Sequence, residues 1–325
     1  MAMAVSGDVG RQGRLLVRVA RMYYEQGIRQ PQIATQLHIS QAKVSRLLKR
    51  AEEVGIVRVT IHEPQGGHSD VEQLLVARYG LEDAVVVQAS TEDEVSILTS
   101  IGTAAATYLS DVLLGHERIG ISSWSATLLA MVNAMPKATR QLADSVVQVI
   151  GGVGEPSAQV QATRLTEQLA SLTGAEPRFL TAPGFVSSPQ LQAAIMAEPY
   201  IRDASEQWSS LSILLAGIGS LEPSPLLRQS GNALPLNEQR ELRELGAVGD
   251  VCLRFFDGAG QAVESSVDGC IVGIDPDVLL SIPRRIGAAG GAKKHAAVRA
   301  ALLGRWINVL VTDTDTADYL LGPPS

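Results

Sequence analysis

The chain has 325 residues, 46% hydrophobic and 19% charged, with a net charge of −7. That length is generous for one domain and comfortable for two, and no apolar run approaches the ~18 residues needed to span a bilayer, so a soluble chain without a membrane partner and a cytoplasmic location are expected. The charge is segregated: residues 1–62 hold ten Lys/Arg against four Asp/Glu, or +6, and the remainder holds 17 against 30, or −13. A basic head on an acidic body keeps attraction for phosphates local and argues against coating of nucleic acid by the whole molecule.

In chain order, MAMAVSGDVGRQGRL lacks an apolar signal core and is expected to be a ragged leader. Leu15, Leu16, Val19, Ala20 and Tyr23 then form the stripe of a first helix. QPQIATQLHISQAKVSRLLKRAEEVGIV, residues 30–57, reads as two short amphipathic helices broken at His38-Ile39-Ser40. Ile33, Ala34 and Leu37 lie on one stripe and Val44, Leu47 and Leu48 on the other. Ser40 is placed to cap the second helix, while His38 takes a turn position where Gly is common in such motifs. Opposite the second stripe lie Ala42, Ser45, Arg46 and Lys49, flanked by Lys43 and Arg50, with Gln41 at the helix start as a further candidate DNA contact. Arg forks onto guanine, Ser reaches base edges or phosphates, Ala lies against a thymine methyl, and the outer Lys and Arg suit phosphates. A charged outer face alone is commonly just solvated; here the tight turn, the helix spacing and the single sign coincide, which is the pattern of a helix-turn-helix on double-stranded DNA. GIVRVTIHEP alternates like a short strand, a candidate wing. Residues 11–62 are therefore expected to form a compact three-helix domain, 63–69 a linker, and 70–325 a second domain opening with a helix from about Asp70 to Tyr79.

From Asp83 onward, apolar stretches alternate with helical patterns. DAVVVQ, ERIGIS, SVVQVIGG, PRFLTAP, LSILLAGIG, VGDVCLRFFD, GCIVGI and INVLVTD read as strands, and 92–113, 125–134, 157–173 and 293–303 as helices. This predicts an α/β fold with a largely parallel sheet covered on both faces. Cys252 and Cys270 fall in strand-like stretches without metal-ligand spacing and are expected to be buried free thiols.

In such folds ligands gather where strands end and helices begin. After ERIGI come Ser122, Ser123, Trp124, Ser125 and Thr127, more hydroxyls than one N-cap requires, at a place where free amides attract anions. Trp124 serves equally as a stacking platform or a core plug. Gly151-Gly152 and Gly217-Ile218-Gly219 permit close approach at two further strand ends. Lys293 and Lys294 open a helix after Gly290-Gly291, against the helix dipole, a conflict that a bound anion would remove. Asp250, Asp257, Asp268 and Asp313 lie near the later strand ends, where a carboxylate accepts sugar hydroxyls, acts as a base or caps a turn. Neither a nucleophile constellation nor a metal-spaced His cluster is visible, so no catalytic residue, metal or cofactor is assigned.

Taken together, QIATQLHISQAKVSRLLKRAEEVGIV, ISSWSATL, VVQVIGG, LLAGIG, ELGAVGDVCLRFFD, AAGGAKKHAAV and VTDTDTADYLL resemble, in this order, the SorC family of bacterial transcriptional regulators (SorC/DeoR-type), over about residues 14–322. The resemblance implies an N-terminal, winged helix-turn-helix domain and a C-terminal Rossmann-like effector domain related to sugar-phosphate isomerases and CoA transferases, assembled as a dimer or tetramer and controlled by a phosphorylated sugar. By motif it places Ser123, Ser125 and Thr127 in the phosphate loop, Lys294 on the Lys of a Gly-Gly-x-x-Lys stretch, and Gly152 and Gly219 at the pocket border, with Trp124 and Asp250 as further candidate effector contacts. Ser125 stands where many relatives carry Gly, which narrows the pocket and keeps an unphosphorylated sugar or polyol open beside a sugar phosphate. The alternative is a sugar-phosphate isomerase or deaminase with Asp250 or Asp257 as base and the head as a docking module.

Overall fold

The structure, a computed structural model, describes residues 5–57, 68–89 and 93–322. The chain divides into two compact units, 1–64 and 65–325.

The first unit is built from α1 (Val5–Tyr24), α2 (Gln30–Leu37) and α3 (Gln41–Glu53). Val19, Ile33 and Val44, one from each helix, are fully enclosed, with Met22, Ala34 and Leu48 around them. Each such aliphatic side chain contributes about 1.5–3 kcal/mol by leaving water, which is why the two stripes converge. α2 ends at His38 with φ 51 and ψ 43, a left-handed residue that turns the chain sharply. Ser40 then caps α3 by accepting from the Lys43 N–H at 3.2 Å. Two expectations are corrected. The helix reaches back to Val5, into the stretch expected to be a ragged leader. Tyr23 is exposed and packs edge-on against Tyr24, while Met22 takes the core position; a phenol keeps its hydroxyl in water where a thioether has nothing to solvate. The expected wing, beyond Ile56 and Val57, and the linker up to residue 67 lie outside the described residues.

The second unit begins with α4 (Ser69–Tyr79), β1 (Asp83–Val87), α5 (Glu94–Val112), β2 (Glu117–Ile121), α6 (Ala126–Ala134), β3 (Ala143–Gln148), α7 (Pro156–Thr173) and β4 (Glu176–Arg178). It continues through α8 (Pro189–Ala197), α9 (Pro199–Ser205), β5 (Ile213–Ser220), α10 (Pro225–Gln229), α11 (Leu236–Glu244), β6 (Ala247–Val251) and β7 (Arg254–Asp257). It closes with α12 (Pro276–Ser281), β8 (Arg284–Ala288), α13 (His295–Leu303), β9 (Val309–Asp313) and α14 (Thr314–Leu321). Seven strands run parallel in the order β1-β9-β8-β5-β2-β3-β4, and the β6–β7 hairpin joins antiparallel along the end of β5.

Successive side chains point to opposite faces of the sheet. Accordingly Ile213, Leu215, Ile286, Val309 and Val311 enter a core under α5, α6 and α7, while Leu214, Ala216 and Leu310 enter a second core with residues of α4, α13 and α14. Both faces are covered, so the strands carry near-continuous apolar runs.

Three expected strands are corrected. VGDVCLRFFD breaks into a hairpin, because Cys252 (φ 57) and Leu253 (φ 58) both adopt the left-handed conformation that a tight two-residue turn demands. PRFLTAP supplies only the last residues of β4. GCIVGI forms no named strand: Asp268–Cys270 is a 3-10 turn, and Ile271 and Gly273 make single bridges to Phe185 and Ile150. The two cysteines are buried and free, but they sit in the hairpin turn and in the 3-10 turn rather than in strands.

Candidate functional site

On α3, Gln41, Ala42, Lys43, Ser45, Arg46, Lys49 and Arg50 are all exposed, since their helix has already committed Val44 and Leu48 to the core. Arg46 donates from Nε to the Ala42 carbonyl at 3.3 Å, and Arg50 pairs with Glu53 at 3.1 Å. Lys43 and Lys49 make no ion pair among the described residues. The result is an outward cationic surface on a short capped helix.

In the second unit the chain winds one way from β2 through β3 to β4, returns to place β5 beside β2, and then winds the other way through β8 and β9. The reversal leaves a crevice beyond the ends of β2 and β5. From β2, Ser125 caps α6 by accepting from the Leu128 N–H at 3.2 Å. A Cβ at Gly217 would stand 2.6 Å from Ser125 Oγ, and a Cβ at Gly219 would stand 2.0 Å from Asp250 Oδ1. The bare backbone at the end of β5 is therefore what lets Ser125 and Asp250 sit over it. Asp250 is delivered by β6, and its Oδ2 accepts from the Leu253 N–H at 2.9 Å across the strained hairpin turn.

Lys294 arrives from the far side, in the 3-10 turn Ala292–Lys294 that precedes α13. Asp313, at the end of β9, positions this loop: Oδ2 accepts from the Gly291 N–H at 2.8 Å while Oδ1 accepts from the Thr316 N–H at the start of α14. A Cβ at Gly290 would fall 1.8 Å from the same carboxylate. Asp250 and Lys294 face one another without forming an ion pair within 4.0 Å. Burial is the first cause of both shifts: it pushes the Asp250 carboxyl up to about 6, opposed by the Leu253 N–H and the Lys294 charge, and it lowers Lys294, opposed by Asp250 and Glu94. Each charge thus lacks part of the water that would otherwise stabilise it.

The other expected residues take different parts. Ser123 and Thr127 are buried, and Ser123 donates to the Ile150 carbonyl at 2.8 Å. Trp124 belongs to the core, its indole N–H on the Gly151 carbonyl at 3.0 Å, so it ties the β2 loop to the β3 loop and has no free face for stacking on a ligand. At Gly152 the Cβ direction is filled by the Gln148 amide, 2.9 Å away. Asp257 accepts from the Ala259 and Gln261 amides, and Asp268 from that of Ser265; both cap turns. Gln148 and Arg254 are among the buried polar residues that escaped the sequence reading. Gln148 accepts from the Leu180 N–H at 2.9 Å, and Arg254 donates to the Ile274, Gly273 and Asp268 carbonyls. The available signal was a polar residue inside an apolar run, in SVVQVI and in CLRFF. Among the described residues no group of three or more His, Cys, Asp or Glu side chains is placed to hold a metal, and no helix is long and apolar enough to cross a membrane.

A family profile described as "Putative sugar-binding domain" matches residues 63–322. The sorbitol operon regulator of Klebsiella pneumoniae is 32% identical over 312 residues, covering 95% of this chain and 98% of that one. The chain belongs to the SorC family of transcriptional regulators. The crystal structure of full-length SorC from Klebsiella pneumoniae superimposes with a TM-score of 0.70 over 95% of this chain and 98% of its own. The deoxyribonucleoside regulator of Bacillus subtilis is 29% identical over 309 residues, covering 95% of this chain and 97% of that one. The α/β architecture of the second unit and the regulator relatives agree with the fold class expected above.

Proposed function

We propose that this SorC-family chain is a cytoplasmic transcriptional regulator of a carbohydrate-utilisation operon, binding operator DNA through α3 and a sugar, polyol or sugar phosphate in the β2–β5 crevice. The observation that carries the reading is that similarity to a sugar-operon regulator spans both units, covering 98% of that protein. In this reading Arg46 and Ser45 meet base edges while Lys43, Lys49 and Arg50 meet phosphates. Ser125, Asp250 and Lys294 contact the effector, with Gly219 making room for Asp250. Ser123, Trp124, Thr127 and Gly152 hold the loops in place.

The regulator works as a homo-oligomer, dimer or tetramer, on a palindromic or repeated operator, because a single short helix covers only one half-site. Control follows if the effector binds one arrangement of the oligomer more tightly than the other, since a ligand without preference shifts nothing. One observation favours the enzyme alternative: Asp250 is a partly buried carboxyl beside a lysine, the setting of a general base. Its other candidate base, Asp257, is spent on a turn. The deciding experiment is fluorescence anisotropy on DNA from upstream of the protein's own gene, at one stated salt concentration, with a panel of sugars, polyols and their phosphates. A several-fold change in affinity with one compound supports the regulator. Steady turnover of a sugar phosphate at catalytic protein concentration overturns it.

A further inference from the structure

At the opposite end of the sheet from the crevice, where β1, β8 and β9 begin, a cleft of about 210 Å³ opens between the turn after α4 and the residues leading into β9. β8 runs from one site to the other, about 3.3 Å per residue over its five residues, so the two places are distinct.

The hydrogen-bonding capacity of the cleft wall is largely used. Tyr79 donates its hydroxyl to the Leu320 carbonyl at 3.0 Å. Asn308 donates to Glu82 at 2.8 Å and to the Pro283 carbonyl at 2.6 Å, and accepts from the Arg285 N–H at 2.6 Å. Glu82, the one carboxylate lining the cleft, also faces Arg284 at 3.7 Å.

Positive charge is left over. Arg285 donates to the Ile282 carbonyl and, at 3.1 Å, to the Arg305 carbonyl, both uncharged acceptors, while its Nε is enclosed without an acceptor among the described residues. Burial holds the Arg285 guanidinium below its ordinary range, with Glu82 opposing. Arg305 is exposed, and its guanidinium has no hydrogen bond or ion pair among the described residues. Its backbone lies at φ 56, a conformation glycine adopts freely and arginine does not. Two arginines therefore line a cleft whose one carboxylate is shared with Asn308 and Arg284.

The geometry points to a second ligand site in this cleft, taking the phosphate or carboxylate group of a small anionic metabolite between Arg285 and Arg305. A guanidinium presents a planar fork of donors that matches either oxyanion. At about 30 Å³ per water, the volume admits a phosphate with a short carbon skeleton.

The test is titration calorimetry on the full-length protein with inorganic phosphate and, separately, with citrate, at ionic strength held constant with chloride. Lys294→Ala silences the crevice, and Arg305→Gly removes the cleft guanidinium while relieving the left-handed backbone. In the Lys294→Ala background at least one probe binds; adding Arg305→Gly weakens it threefold or more, with the melting temperature in chloride kept or raised. The tighter probe tells whether phosphate or carboxylate is preferred. A change smaller than threefold, loss of all binding with Lys294→Ala alone, or no binding of either probe to the parent overturns the proposal.

Discussion

Gly219→Ala tests whether the end of β5 is built around Asp250. The added Cβ stands 2.0 Å from Asp250 Oδ1 and 2.9 Å from its Cγ, so the carboxylate must move. It is short, and its other oxygen is anchored on the Leu253 N–H at 2.9 Å, so movement breaks that bond. Overpacking costs about 1–3 kcal/mol, and a lost hydrogen bond to a charged group about 1.5–3 kcal/mol; because the shift that relieves the first causes the second, the pair is expected to total about 2–4 kcal/mol. At roughly 2–4 °C per kcal/mol for a domain of this size, thermal melts drop by about 4–16 °C. All three nearest atoms belong to Asp250, so the cost is conditional. In an Asp250→Ala background the same Gly219→Ala change is expected to cost under about 0.5 kcal/mol, the ordinary limit of additivity for uncoupled sites. Melting curves of the four proteins close the cycle, and anisotropy with operator DNA reads whether the effector response disappears with the displaced carboxylate. Equal costs in both backgrounds would refute the reasoning, because the clash would then lie elsewhere.

Further expectations concern both units. Arg46→Ala weakens operator binding by about 1–3 kcal/mol and relaxes sequence preference at one position, whereas Lys49→Ala weakens all sequences alike and reduces the salt slope by about one; competition anisotropy across a salt series separates them, and parent-like binding by both variants removes α3 as the reading helix. Ser40→Ala destabilises the first unit by about 1 kcal/mol through loss of the bond from the Lys43 N–H, while His38→Gly stabilises it by about 0.5–1 kcal/mol by relieving φ 51; opposite shifts in denaturation midpoint are expected. Burial raises the Asp250 carboxyl from 3.8 to about 6, so between those values the native protein holds a proton that the unfolded chain has released. That contribution is complete below about pH 4 and is lost as pH rises through 6. Relative to Asp250→Asn, the parent therefore loses about 1–3 kcal/mol across this window, and a difference in melting temperature that does not change between pH 4 and 7 would show the carboxyl to be unperturbed.

Much of the architecture was legible because it depends on local periodicity. The stripes of α2 and α3, the Ser40 cap and the apolar runs of the parallel strands each follow from a few adjacent residues choosing between water and a core. The β6–β7 hairpin was not legible: its turn is Cys252-Leu253, two residues that carry neither the Gly nor the Asn by which left-handed turns are recognised. Missing the turn hid its consequence, since only a hairpin folded back along β5 brings Asp250 over Gly219.

The same limit applies within the site. Strand ends followed by helix starts pointed to loops that the fold does gather, Ser125 over Gly217 and Asp250 over Gly219, because backbone geometry alone makes those places polar and open. Which hydroxyl stays available depends instead on carbonyls supplied from elsewhere in the chain. Ile150 and Gly151, 27 residues beyond Ser123 and Trp124, take the Ser123 hydroxyl and the Trp124 indole N–H. Ser125 spends its oxygen on its own helix, as an acceptor, and so keeps a proton to donate. The loop that reads as a row of equivalent hydroxyls is thus graded by its neighbours: the Ser123 proton is taken by a distant carbonyl, while Ser125 accepts and keeps a proton to donate.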